Sequence, residues 1–262
     1  MKRFLIGWLL ALGLAACGGG GGGGSAAENP PPPPPPPSTG SPDLAQLFMG
    51  NSHTSVTTLP GMVAALVRAA RPGRSVVAVE APGWMFLEER AADAASVELL
   101  ETRRWTHVVL QAQKYSASGM FEYSTTGAED LIRLARTRSA LPILFPEWPR
   151  RGIAETQRIY DLHMSIAGRT PACVAPIGQA WDLALARDPT LVLHAPDGNH
   201  SAPPGAFLAA VVIATTITRV APDTLPAIEG FGVDAALQAR LRAIAAETVL
   251  AYSPRAGCPA DP

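Results

Sequence analysis

The chain has 262 residues, 47% of them hydrophobic, enough for one domain with a buried core. Its 21 basic and 22 acidic residues give a net charge of −1 at pH 7, and no stripe of Lys and Arg marks a nucleic-acid surface. Beyond the N-terminal leader, no segment is apolar for long enough to span a bilayer.

Met1 to Ala16 carries two basic residues, an apolar run and then small residues, the pattern of a secretion signal. It leads into Leu14-Ala15-Ala16-Cys17, which resembles the bacterial lipobox. That resemblance implies cleavage before Cys17, lipidation of its thiol and a place in the bacterial cell envelope. Glycine rather than aspartate at position 18 implies an outer-membrane destination if the host is Gram-negative. Residues 17–42 hold an unbroken glycine run, Gly18 to Gly24, and an unbroken proline run, Pro30 to Pro37. Neither can bury a core, so they read as a flexible then stiff tether. The expected organisation is signal peptide 1–16, lipidated tether 17–42 and folded domain 43–262. Without Lys2 and Arg3 the balance moves to −3.

In the folded part, apolar runs alternate with helical patterns. Leu44 to Met49 reads as a strand, and Leu59 to Ala70 as a helix stopped by Pro72-Gly73. Ser75 to Glu80 reads as a strand, Ala92 to Arg103 as a helix, Thr106 to Gln111 as a strand and Gly127 to Arg138 as a helix. A strand follows at Leu141 to Phe145, then a helix at Ile153 to Ile166 and a fifth strand at Cys173 to Ile177. Ala206 to Val220 and Asp234 to Ala251 close the chain as helices, the last with Leu237, Leu241, Ile244, Ala245 and Val249 at helical spacing. Strand then helix, five times, predicts an α/β three-layer sandwich around a five-stranded parallel sheet.

Ligands of such sheets bind beyond the carboxyl ends of the strands. Those positions hold Gly50-Asn51-Ser52, Pro82-Gly83-Trp84, Gln111-Ala112-Gln113 and Glu147-Trp148, with Asp197-Gly198-Asn199-His200 after the last strand. A serine hydroxyl needs a base within hydrogen-bond reach, a group that orients the base, and donors for the oxyanion. Ser52 is the candidate nucleophile, His200 the base and Asp197 its partner. The amides of Ser52 and Gly83 and the side chain of Gln113, in preference to Gln111, are the candidate oxyanion donors.

These blocks resemble the SGNH hydrolases, also called GDSL-type esterases. The resemblance rests on Gly50-Asn51-Ser52-His53-Thr54, Gly83, Gln111-Ala112-Gln113 and Asp197-Gly198-Asn199-His200, in that order over nearly the whole folded part. The stretch Pro203 to Ala210 also looks like the family's Pro-x-Gly-x-x-Leu-Ala ending. It implies a flavodoxin-like fold and a cofactor-free serine esterase for short acyl esters, including acetyl groups on carbohydrate. Asn51 departs from the family's aspartate, and Gln113 from its asparagine. A branch with G-N-S and L-Q-x-Q blocks is the nearer likeness, and Pro176-Ile-Gly-Gln-Ala-Trp181 fits it too.

Other readings remain open. A binding lipoprotein could keep the fold without turnover, and a lipase or thioesterase could use the same pocket. His53, His194, His200 and Asp197 could ligate a metal, but their spacing matches no recognised pattern and leaves the serine without a role, so no metal is expected. Trp84, Trp148 and Trp181 either stack on a sugar or pack. Arg150-Arg151 either meets an anion or is solvated. His107 and His163 read as surface or packing residues. Cys173 and Cys258 form a disulfide or remain as buried thiols; outside the cytoplasm such a pair is often bridged. The oligomeric state has no signature.

Overall fold

The computed structural model describes residues 41–259. The expected signal peptide 1–16, Cys17 and nearly all of the 17–42 tether lie outside the described residues. Five strands form one parallel sheet: β1 (Leu44–Met49), β2 (Val76–Glu80), β3 (His107–Leu110), β4 (Leu141–Leu144) and β5 (Cys173–Val174), in the order β2-β1-β3-β4-β5. The helices are α1 (Ser52–Ser55), α2 (Leu59–Ala70), α3 (Leu87–Ala92), α4 (Ala94–Thr102), α5 (Thr126–Thr137), α6 (Thr156–Arg169), α7 (Ile177–Arg187), α8 (Pro203–Thr218) and α9 (Ala235–Ala251). This is the three-layer α/β architecture that the alternation predicts.

Both sheet faces are covered, so the strands are apolar nearly throughout. Phe48, Val109 and Ile143 point into a core shared with α2, α7, α8 and α9. Leu47, Met49, Val108, Leu110 and Leu144 point the other way, toward α3, α4, α5 and α6.

Pro142 sits inside β4 at no cost to the ladder. The amides of Leu141 and Phe145 donate to Thr106 and Leu110 on the β3 side. Position 142 has the opposite parity and faces β5, whose pairing begins opposite Ile143.

Two expected elements differ. The helix expected over 92–103 is α4, which begins only at Ala94 because Asp93 caps it, accepting from the Ser96 amide at 2.9 Å; α3, just before it, was not expected. The strand expected to reach Ile177 ends at Val174, and helix α7 follows Pro176 at once.

Cys173 and Cys258 are joined by a disulfide. The same tail supplies a backbone contact, with the Val174 amide donating to Pro254 O at 3.0 Å.

His107 and His163 are packing residues, and burial holds each imidazole down to about 4. His163 donates through Nδ1 to Ile159 O at 2.8 Å, while its Nε2 is buried without a partner. A lowered histidine pKa means the unfolded chain binds the proton first as pH falls. The stability of the neutral form is therefore complete above about pH 6.5 and is lost between there and about pH 4. Denaturant titrations at pH 7 and pH 5 should show the difference between the two shrink by about 2 kcal/mol in His163→Leu. An unchanged difference would mean that His163 does not titrate in this way.

Candidate active site

β1 delivers Ser52 through a turn with no room for side chain. A Cβ on Gly50 would stand 2.3 Å from both Gln111 Oε1 and Thr54 Oγ1. Gly50→Ala is therefore expected to lower stability by about 1–3 kcal/mol through overpacking. It should also cost well over tenfold in any Ser52-dependent reaction, by shifting the nucleophile; paired melting and labelling of Ser52 would check both effects.

Asn51 then caps α1, its Oδ1 accepting from the His53 amide at 3.1 Å. This is the job of the residue that departs from the family pattern, and asparagine does it as well as aspartate. Ser52 is the first residue of α1, where an amide has no acceptor within the helix.

Gln111 is fully buried and acts as scaffold. Its Oε1 accepts from the Asn51 amide at 2.8 Å and Thr54 Oγ1 at 3.0 Å, and its Nε2 donates to Glu147 Oε1.

His200 arrives from the loop between α7 and α8, pinned as a small hairpin. Ala195 N donates to His200 O at 2.8 Å, and Ala202 N to Leu193 O at 2.7 Å. Gly198 takes φ +73°, the left-handed turn that glycine permits. Two neighbours after β4 hold this loop: Trp148 Nε1 donates to Asn199 O at 2.8 Å and Arg151 Nη2 to Ala195 O at 2.7 Å.

The result is a chain of contacts between residues 148 positions apart. Ser52 Oγ lies 2.8 Å from His200 Nε2, and His200 Nδ1 lies 2.5 Å from Asp197 Oδ2. Asp197 Oδ1 accepts from the amides of Asn199 and His200 at 2.9 and 3.0 Å. The His200 contact, then these amides, hold the Asp197 carboxyl far below the usual carboxylate range. An ionised Asp197 fixes Nδ1 as the protonated nitrogen, which leaves Nε2 to accept from the serine.

His53 is not the serine's partner. It is buried between the His200 and Trp148 rings, at centroid distances of 5.2 and 5.1 Å, with Nδ1 3.3 Å from Asn51 Oδ1.

Ser52 and His200 open onto a cavity of about 620 Å³ that Phe86, Tyr115 and Tyr123 also line. Its cations are already paired: Arg150 with buried Glu155, at 2.9 Å, and Lys114 with Glu88. The Arg150-Arg151 pair is thus structural. Trp148 and Trp181 are buried, stacked 4.8 Å apart, while Trp84 is 65% exposed and donates to Ser55 Oγ. His194 Nε2 donates to Pro149 O at 2.7 Å, and among the described residues no group of three or more His, Cys, Asp or Glu could hold a metal ion.

The expected oxyanion donors are unevenly placed. Ser52 itself lines the cavity, and its amide has no acceptor within α1. Gln113 stands on the cavity wall, but both hydrogens of its amide go to the carbonyls of Lys114 and Ser124, each at 3.0 Å. Gly83, at φ +76°, is exposed and is not among the residues lining the cavity. Sequence reasoning found Glu147 by its place after a strand but not its part, which is to hold Gln111, and it passed over Arg90 altogether.

No protein-family model matches the chain, and no curated protein does. Solved structures do. A candidate SGNH hydrolase from Slackia heliotrinireducens is 23% identical over 66% of this chain and 98% of its own, with a TM-score of 0.54. A DUF4886 family protein from Bacteroides uniformis ATCC 8492 is 15% identical over 80% and 95%, at 0.63. A candidate GDSL-like lipase from Parabacteroides merdae ATCC 43184 is 12% identical over 68% and 96%, at 0.51. The fold of this chain is that of the SGNH hydrolases.

Proposed function

We propose that the chain is an SGNH-type serine esterase that hydrolyses short acyl esters, with Ser52, His200 and Asp197 as its catalytic residues. The observation that carries this reading is the continuous Ser52–His200–Asp197 contact at the mouth of an aromatic-walled cavity. In the proposed reaction His200 Nε2 takes the Ser52 proton as Oγ bonds to the ester carbonyl carbon. The oxyanion that forms faces the Ser52 amide. Gln113 joins it by exchanging one loop carbonyl, and Gly83 is the third donor that the family resemblance implies. His200 returns the proton to the departing alkoxide, leaving an acyl-serine. Water, deprotonated by the same nitrogen, then adds to the acyl carbon and releases the acid. Acetyl groups on carbohydrate are the proposed substrate, on the family likeness and the secretion signal. The proposed location is the outer membrane, with Cys17 as the lipid anchor.

The direct test uses the purified full chain in detergent. p-Nitrophenyl acetate turnover should fall by about 10³-fold or more in Ser52→Ala. A fluorophosphonate should label the parent but not the variant. Decanoate turning over faster than acetate would point instead to a lipase. A second reading, a binding protein with this fold, draws on the engaged Gln113 amide and the exposed Gly83. Folded protein that neither turns over nor labels would establish it.

A further inference from the structure

Arg90 on α3 is fully buried. A buried cation is costly unless its donors are taken up; here Nη1 and Nη2 give theirs to backbone carbonyls and a hydroxyl, and Nε is buried without a partner. Nη1 donates to Pro82 O at 2.9 Å and Ser96 Oγ at 3.1 Å. Nη2 donates to Gly50 O at 2.8 Å and also reaches Ala81 O and Gly83 O. Asp93 Oδ2 in turn holds the Ser96 hydroxyl at 2.7 Å. One guanidinium therefore gathers four carbonyls from two loops, the one that leaves β1 for Ser52 and the one that leaves β2 through Gly83.

The peptide unit is planar and trans, so its carbonyl and amide point in opposite directions. Turning the Gly50 carbonyl toward Arg90 turns the Asn51 amide away, and it meets Gln111 Oε1 at 2.8 Å. Turning the Pro82 carbonyl toward Arg90 likewise aims the Gly83 amide away from the guanidinium. We propose that Arg90 is a positioning residue for the Ser52 site, setting the Gly50–Asn51 and Pro82–Gly83 peptide planes. The proposal rests on the reading of Ser52 as nucleophile. Lysine cannot substitute: its three donors radiate from one atom, whereas the guanidinium spreads five over a rigid fork.

The test compares full-length Arg90→Lys, Arg90→Ala and the milder Ser96→Ala with the parent. Expected in the Arg90 variants is a kcat on p-nitrophenyl acetate about 10- to 100-fold lower with KM within about twofold, the size of effect that misplacement produces. Methylguanidinium at millimolar concentration should restore kcat in Arg90→Ala but not in Arg90→Lys. Ser96→Ala, which frees one side of the guanidinium, should lose severalfold in kcat and keep its KM. Hydrogen exchange should quicken in peptides covering 50–54 and 81–87 and stay unchanged in α8. A folded variant with parental kcat and parental exchange in those peptides would overturn the proposal. So would a loss that tracks the unfolded fraction and resists methylguanidinium. If the Arg90 variants do not fold, Ser96→Ala decides by the same two readouts. A parent that neither turns over nor takes a fluorophosphonate sinks the esterase reading, and the exchange data then judge Arg90 alone.

Discussion

Asp197→Asn is expected to lower kcat on p-nitrophenyl acetate by about 10³-fold while leaving KM and the thermal midpoint close to the parent's. The two carboxylate oxygens do different work. Oδ1 accepts from the Asn199 and His200 amides and shapes the turn. An asparagine oxygen can do the same, so the loop should keep its form. Oδ2 accepts from His200 Nδ1. An asparagine places an N–H there, and the ring can answer it only by moving its proton to Nε2, where it opposes the serine hydroxyl. Stability should hardly respond, since the Asp197 side chain is 49% exposed. What loss there is has the sign of a depressed carboxyl pKa, which gives a stability that is complete above the ordinary carboxylate range and that exposure keeps small. It is lost only as pH falls toward the lower folded value. A kcat within threefold of the parent at neutral pH would remove Asp197 from the mechanism.

Cys258→Ser should have the opposite profile, a large loss of stability with little loss of turnover per folded molecule. The bridge joins residues 85 apart. Closing a loop of that size removes enough freedom from the unfolded chain to be worth about 4–5 kcal/mol. In a domain of this length that is a fall in midpoint on the order of 10 °C or more. Neither cysteine touches the cavity; β5 lies three places from β1 in the sheet. Dithiothreitol should lower the midpoint of the parent to that of the variant and leave the variant unmoved. A parent indifferent to the reductant would show that the bridge adds nothing.

The sequence was most readable where structure is local. β1 and α2 begin and end where the apolar pattern does, because hydrophobic periodicity and a Pro-Gly stop are written in consecutive residues. The Ser52 and Asp197-to-His200 blocks were visible for the same reason, each being a short turn at a strand or helix end. The start of α4 was misjudged by two residues, because the cap that sets it is one bond between Asp93 and the Ser96 amide. Helix α7 was hidden by its own apolar start, which extends the pattern of β5 past Pro176. Of the two glutamines the sequence preferred Gln113 for the cavity, but it could not supply the partner of either. Gln111 turns to Glu147, and Gln113 to Ser124, and those partners are fixed by other loops. Arg90 is the extreme case. Its four carbonyls come from backbone, which carries no residue-type signal.

The Cys173–Cys258 bridge also bears on what happens when many copies are crowded together. β5 is the last strand at one side of the sheet, and an open side offers its amides to any passing strand. Here the Val174 amide is already spent on Pro254, a residue that lends a carbonyl and has no N–H to offer onward. Beyond it Ala256 N bonds back to Ser253 O and Cys258 N to Arg255 O, so the tail curls into turns. Growth of the sheet stops at a residue that cannot propagate it. Cleaving the bridge would free that stopper and leave β5 as a template, so loss of one sulfur bond should make the protein stickier as well as softer.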